Sequence, residues 1–87
     1  MDCMAYFVYL LECSDRTYYC GCSKDVEKRV ERHNKGRGAK YTMTRLPVTL
    51  LYSEEQPTLR DAMRREREIK KWPRERKESL IDALARN

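Results

Sequence analysis

The sequence has no long hydrophobic run: its apolar stretches, such as Tyr6 to Leu11, fall far short of the roughly 20 residues that a membrane-spanning helix needs. A membrane protein is not expected. A secretory leader is not expected either, because Asp2 and the strand-like run after Met4 do not make a basic segment followed by a helical apolar one. The expected location is the cytoplasm. Internal repeats and low-complexity segments are missing from the sequence. The four cysteines Cys3, Cys13, Cys20 and Cys22 lack the paired Cys-x-x-Cys knuckles of a zinc site. Cys20 and Cys22 on an extended strand would sit about 7 Å apart, too far for comfortable disulfide geometry. Their expected use is packing.

What is present is a chain of 87 residues, enough for one domain of modest core. Its charged fraction, 38%, nearly equals its hydrophobic fraction, 40%, yet the apolar residues fall in periodic clusters, which argues for a folded unit. Lysine and arginine outnumber aspartate and glutamate by 19 to 14. Much of that excess lies in one acid-free segment holding Lys35, Arg37, Lys40 and Arg45, which is either a phosphate-contacting loop or a merely solvated one.

Phe7 to Cys13 and Thr17 to Cys22 read as a β-hairpin across Ser14-Asp15-Arg16. Asp25 caps a predicted helix from Val26 to Asn34, with Gly36 after its stop. Gly36 to Pro47 reads as a loop, and Val48 to Glu55 as a third strand. Thr58 caps a helix from about Leu59 to Trp72, and Pro73 opens a last one ending near Ala85. The expected fold is α/β of the α+β type, a three-stranded antiparallel sheet flanked by three helices in the order β-β-α-β-α-α.

Alternation along the second strand puts Tyr19 and Gly21 on one face and Tyr18, Cys20 and Cys22 on the other. A two-residue turn would send Tyr9 and Tyr19 to opposite faces. A three-residue turn, the favoured reading, pairs Cys13 with Thr17 and sets Tyr9 opposite Gly21, leaving room for a substrate beside the phenol. Its cost is a left-handed Arg16, about 1 kcal/mol. In the first helix Val26, Val30 and His33 form an apolar stripe with Arg29 at its edge. Arg29 could snorkel and His33, the only histidine, could cap the helix end. In the next helix Leu59, Ala62, Met63, Glu66, Ile69 and Lys70 follow one stripe, so Glu66 stands where an apolar residue belongs. It calls for a cation partner, Arg29 or Lys70, or for a metal ion. Together these groups suit phosphodiester cleavage: an arginine and a divalent ion against phosphate charge, and a phenol or imidazole as proton acceptor. A single carboxylate suits Mg²⁺ or Mn²⁺, not zinc.

These residues also resemble the GIY-YIG nuclease superfamily, in particular its small stand-alone modules. Phe7-Val8-Tyr9 stands at the GIY triplet and Tyr19-Cys20-Gly21 at YIG. Further matches are Asp25-x-x-x-Arg29-x-x-x-His33-Asn34, Gly36-x-Gly38-Ala39-Lys40-Tyr41-Thr42, Pro47-Val48-x-Leu50 and Ala62-x-x-x-Glu66-x-x-Ile69-Lys70. The likeness runs over about residues 6–81 of a single domain, 1–87. It implies a metal-dependent endonuclease leaving 5′-phosphate and 3′-hydroxyl ends, with Glu66 holding one Mg²⁺ or Mn²⁺. Arg29 would stabilise the transition state, Tyr9 would activate water, and Tyr19 and His33 would assist. Lys35, Arg37, Lys40, Tyr41, Arg45 and Lys70 are the expected nucleic-acid contacts. DNA is the expected substrate ahead of RNA, in repair or recombination, with a protein partner as one source of specificity. The alternative is a non-catalytic or partner-dependent nucleic-acid-binding module on the same fold. Departures include Phe7, Cys20 and Arg16 in place of glycine, isoleucine and glycine, and none removes a catalytic group.

Overall fold

The computed structural model describes residues 5–86, with side chains as far as residue 84; Cys3 lies outside the described residues. Strands β1 (Tyr6–Glu12) and β2 (Tyr18–Ser23) are followed by helices α1 (Val26–Asn34) and α2 (Lys40–Met43), strand β3 (Thr49–Gln56), and helices α3 (Leu59–Lys70) and α4 (Arg74–Arg86). The sheet is antiparallel with order β2-β1-β3, so β2 has a free edge. The expected fold is the one observed, with one addition: a single turn, α2, stands inside the predicted loop. It follows Ala39, whose carbonyl accepts from the amides of Thr42 and Met43 at 3.1 and 3.2 Å.

The hairpin has the three-residue turn. Cys13 donates its amide to the Thr17 carbonyl at 2.8 Å, Arg16 donates to Cys13 at 2.9 Å, and Arg16 is left-handed with φ 72°. Asp15 braces the turn by accepting from the Thr17 amide and hydroxyl at 3.1 and 2.6 Å and from Arg45 Nε at 3.0 Å. In this register Tyr9 faces Gly21. Among the described residues the Arg16 side chain makes no hydrogen bond or ion pair, while its carbonyl accepts from Arg74 at 2.7 Å. Replacing the side chain therefore relieves strain without breaking a polar contact. Arg16→Gly should stabilise the protein by about 0.5–1 kcal/mol, read as a higher denaturant midpoint at unchanged slope.

Strand alternation divides the core in two. On one face Val8, Leu10 and Cys20 pack with Ala62 and Ile69 of α3, and with Trp72, Leu80 and Ile81 near and on α4. On the other, Tyr9, Leu11, Cys13 and Val48 pack with Tyr19 and with Val26 and Val30 of α1. Both predicted caps are present: Asp25 accepts from the Lys28 amide, and Thr58 from the Asp61 amide, each at 3.1 Å. At its other end α1 closes with Gly36 at φ 77° and a bond from the Arg37 amide to the Arg32 carbonyl, the left-handed stop that glycine permits. Asn34 then ties α1 to the sheet, accepting from the Val48 amide at 2.7 Å and donating to its carbonyl at 3.2 Å.

The stripe read along α3 needs correction. Leu59 and Met63 are each 44% exposed, and the inward face is formed by Ala62, Arg65, Glu66 and Ile69. The helix is turned because Arg65 grips Glu54 of β3 with two bonds, at 2.8 and 3.2 Å, and lies over the Trp72 ring. The helix also stops at Lys70, two residues before the predicted end, with the amides of Lys71 and Trp72 closing tight turns onto Glu68 and Ile69.

Candidate active site

Because β2 is an edge strand, α1 on one face of the sheet and α3 on the other can approach each other around it. The residues between them show this: Tyr19 and Cys22 each feel both Arg29 from α1 and Glu66 from α3. Tyr9, Tyr19, Arg29, His33 and Glu66 thus come from four elements to the rim of one strand.

At the centre is a buried chain of polar atoms. Tyr9 Oη lies 3.1 Å from His33 Nε2, and His33 Nδ1 lies 2.8 Å from Thr42 Oγ1. All three residues are at most 1% exposed. Two glycines make the room. A Cβ on Gly21 would stand 2.6 Å from Tyr9 Oη and 3.2 Å from the Tyr19 ring, and one on Gly38 would stand 2.2 Å from His33 Nδ1. The space beside Gly21, expected to admit substrate, is filled by the Tyr9 phenol itself, since β1 is the central strand and its side chain must reach outward across β2 to the edge. The Gly38 contact is the tighter, and the ring it meets has nowhere to retreat. Gly38→Ala should therefore displace His33, cost about 1–3 kcal/mol of stability and abolish the Tyr9–His33 bond, which the downfield hydroxyl proton of Tyr9 in an NMR spectrum would report.

Electrostatics set the protonation states. Burial, then the neighbouring Tyr19, holds the Tyr9 hydroxyl well above the usual tyrosine range, and the charge and hydrogen bond of Arg29 offset only part of this. Burial, then Arg29 and Arg32, lowers the pKa of His33, so the imidazole is neutral at neutral pH. Burial likewise raises Tyr19, against the opposing pull of Lys70. Burial and then Glu66 push the thiol of Cys20 to about 12, and burial and then a hydrogen bond to Glu66 push that of Cys22 to about 11. Neither is a thiolate nucleophile or a ready metal ligand. Cys20 packs in the core as expected, and Cys22 is half-buried beside it.

Glu66 is paired with Lys70, Oε2 to Nζ at 2.7 Å, with 19% of its side chain exposed. Among the described residues no three His, Cys, Asp or Glu side chains gather into a metal cage. A lone, partly open carboxylate fits a hard cation that keeps most of its waters, as Mg²⁺ and Mn²⁺ do, and does not fit zinc.

Two hollows of about 350 Å³ each flank the chain. One is lined by Tyr19, Arg29, Arg32, His33, Arg37, Gly38 and Ala39, the other by Tyr18, Tyr19, Cys20, Tyr41, Lys70 and Lys77. Both are cationic. Of the residues expected to contact nucleic acid, Arg37, Tyr41 and Lys70 line these hollows and Lys40 opens α2 beside them. Arg45 is occupied as a tie, bonding Asp15 at 3.0 Å and the Tyr41 carbonyl at 2.7 Å while covering the Tyr41 ring. Lys35 lies apart, in a larger hollow of about 750 Å³ along α1 shared with Asp25, Glu27, Lys28 and Glu31. Sequence reasoning gave no role to Arg32, Lys77 or Thr42. Arg32 had a signal, lying three residues after Arg29 on the same flank of α1.

The site thus brings tyrosine, arginine, histidine and glutamate side chains to the sheet edge of a small α+β fold. The model of the GIY-YIG catalytic domain matches residues 5–79. The chain belongs to the GIY-YIG nuclease family. It is 51% identical over 77 residues to UPF0213 proteins of Staphylococcus aureus strains Mu50 and N315, covering 88% of this chain and 94% of theirs. Among solved structures it is similar to the UPF0213 protein BH0048 from Bacillus halodurans, with 41% identity and a TM-score of 0.59 over 92% of this chain and 85% of that one. It is also similar to the protein EF2693 from E. faecalis, with 32% identity and a TM-score of 0.63 over 95% and 88%. None of the described helices is long and apolar enough to cross a membrane.

Proposed function

We propose that this protein, a single domain over residues 1–87, is a cytoplasmic endonuclease that hydrolyses DNA phosphodiester bonds with one divalent ion and leaves 5′-phosphate and 3′-hydroxyl ends. The observation that carries this reading is the 3.1 Å contact between Tyr9 and a neutral His33 beside Arg29. A phenol held so far above its ordinary pKa cannot wait as phenolate. It can pass its own proton to His33 Nε2 as it takes one from water, so no free phenolate forms. The hydroxide attacks phosphorus, the bond to the 3′-oxygen breaks, and that oxygen takes a proton from solvent. Arg29 meets the charge that builds on the phosphorane, and Tyr19 orients the phosphate. Glu66 would hold Mg²⁺ or Mn²⁺, whose contribution when bound is Lewis-acid neutralisation of phosphate charge. Arg32, Arg37, Lys40, Tyr41, Lys70 and Lys77 would follow the backbone on either side.

The second reading, a nucleic-acid-binding module without catalysis, draws on the Glu66–Lys70 pair, which occupies the proposed metal ligand. A cleavage screen separates the two. Duplex, single-stranded, flapped and junction DNA, and RNA, are incubated with the protein with and without Mg²⁺ or Mn²⁺. Metal-dependent nicks that DNA ligase can reseal support the enzyme; salt-sensitive binding with no cut on any substrate supports the binder.

A further inference from the structure

We propose that Thr42 is a positioning residue that holds His33 in its Nδ1–H tautomer, leaving Nε2 as the acceptor for the Tyr9 proton. Its catalytic meaning rests on the nuclease reading above; the tautomer itself does not.

The direction of the buried chain follows from counting protons at its two ends. At one end Thr42 Oγ1 lies 2.9 Å from the Ala39 carbonyl, which can only accept. A hydroxyl has one proton. Once Thr42 gives it to Ala39, its oxygen can only accept from His33, so Nδ1 carries the hydrogen. At the other end Arg29, whose guanidinium can only donate, is the cation that acts on the Tyr9 hydroxyl. His33 Nε2 is then the acceptor left for the phenol's own proton. Both ends favour the same tautomer. Reversal would have Nε2 donate to Tyr9, and the proton of this buried phenol would have no other acceptor among the described residues.

The groups facing the ring agree. Tyr9 and Tyr19 come from the sheet, Arg29 and Arg32 from α1, Thr42 from α2, and the Gly38 backbone closes the Nδ1 side. Among the described residues no carboxylate figures in the charges that act on His33, and Arg29 and Arg32 both oppose the imidazolium. Thr42 is wholly buried in a four-residue helix with no side-chain cap, and its hydroxyl is spent entirely within this chain.

Because His33 is the only histidine, ¹⁵N labelling of imidazole yields one pair of ring signals, and long-range ¹H–¹⁵N correlation reads the tautomer without any activity assay. The wild type is expected to show a protonated Nδ1 and a bare Nε2 at mildly alkaline pH. Thr42→Val keeps the shape but removes the acceptor, and should shift the population toward Nε2–H by roughly tenfold or more, while Thr42→Ser keeps the wild-type spectrum. In cleavage, kcat should fall for Thr42→Val with KM held, and recover in Thr42→Ser. A wild-type Nε2–H tautomer, or a Thr42→Val spectrum like the wild type's, overturns the proposal. Should Thr42→Val not fold, the wild-type and Thr42→Ser spectra decide: Nδ1–H in both upholds the proposal and any other tautomer refutes it. The expected tautomers with no cleavage of any substrate would sink the nuclease reading alone; cleavage with the reversed tautomer would sink only the role of Thr42.

Discussion

Tyr9→Phe is expected to slow DNA cleavage on the order of 10²–10⁴-fold, the range that a positioned proton-transfer group contributes. The substitution keeps the ring that fills the core beside Leu11 and Val48, and so leaves the packing of the α1 face intact. What it removes is the oxygen between water and His33 Nε2, at a stability cost of about 1 kcal/mol for the unpaired acceptor. DNA affinity should be unchanged, since Tyr9 is buried. The wild-type pH profile should carry the same signature. His33 must be neutral to accept a proton, and its pKa lies below the ordinary 6.5, so activity should fall only as pH drops beneath that value. Stability should decline over the same window, because the unfolded chain takes up the proton more readily than the folded one. Tyr9 ionisation should produce no alkaline limb in the neutral to moderately alkaline range, since burial keeps the phenol protonated there. A profile centred above 6.5 would contradict the assignment of His33.

Arg29→Ala and Glu66→Gln are each expected to lower kcat on the order of 10²–10³-fold, the effect of deleting one preorganised group that meets transition-state charge. Neither should unfold the protein. Glu66 is held by an i,i+4 pair to a lysine whose side chain is 49% exposed, and such pairs contribute at most about 0.5 kcal/mol. The two losses should differ in kind. Raising the divalent-ion concentration should recover part of the rate in Glu66→Gln and none in Arg29→Ala. Circular dichroism alongside the single-turnover rates would separate these effects from misfolding, and equal rates for wild type and either variant would remove that residue from the mechanism.

The hairpin register was legible because two constraints meet there: the period of two along β1 and β2, and a turn length that has to place Tyr9 and Tyr19 on one face. The left-handed Arg16 that this required is present. Glu66 was legible as a charge within an apolar pattern, although the pattern itself misled. Leu59 and Met63 belong to the exposed flank of α3, because a long-range pair between Arg65 and Glu54 turns the helix, and no local periodicity encodes that pair. Thr42 and Gly38 were visible as letters of a loop but not as parts of a site. Their roles exist only where the loop returns to His33, and that contact is written in the meeting of segments that have no common period. The surroundings of Arg45 and Lys35 were not legible from charge counting: the first bonds Asp15 and the Tyr41 carbonyl, and the second shares a hollow with Asp25, Glu27, Lys28 and Glu31. Burial of Tyr9 was likewise beyond reach, since it depends on β1 being the central strand.

The most direct measurement of the account is the single-turnover rate of strand scission on one fixed DNA substrate as Mn²⁺ or Mg²⁺ is titrated, for wild type and Glu66→Gln. The account predicts a saturable dependence in wild type, no scission in chelator, and a curve for Glu66→Gln that is displaced to higher metal concentration and lower in amplitude. Scission that persists in chelator, or superimposable curves for the two proteins, would contradict it.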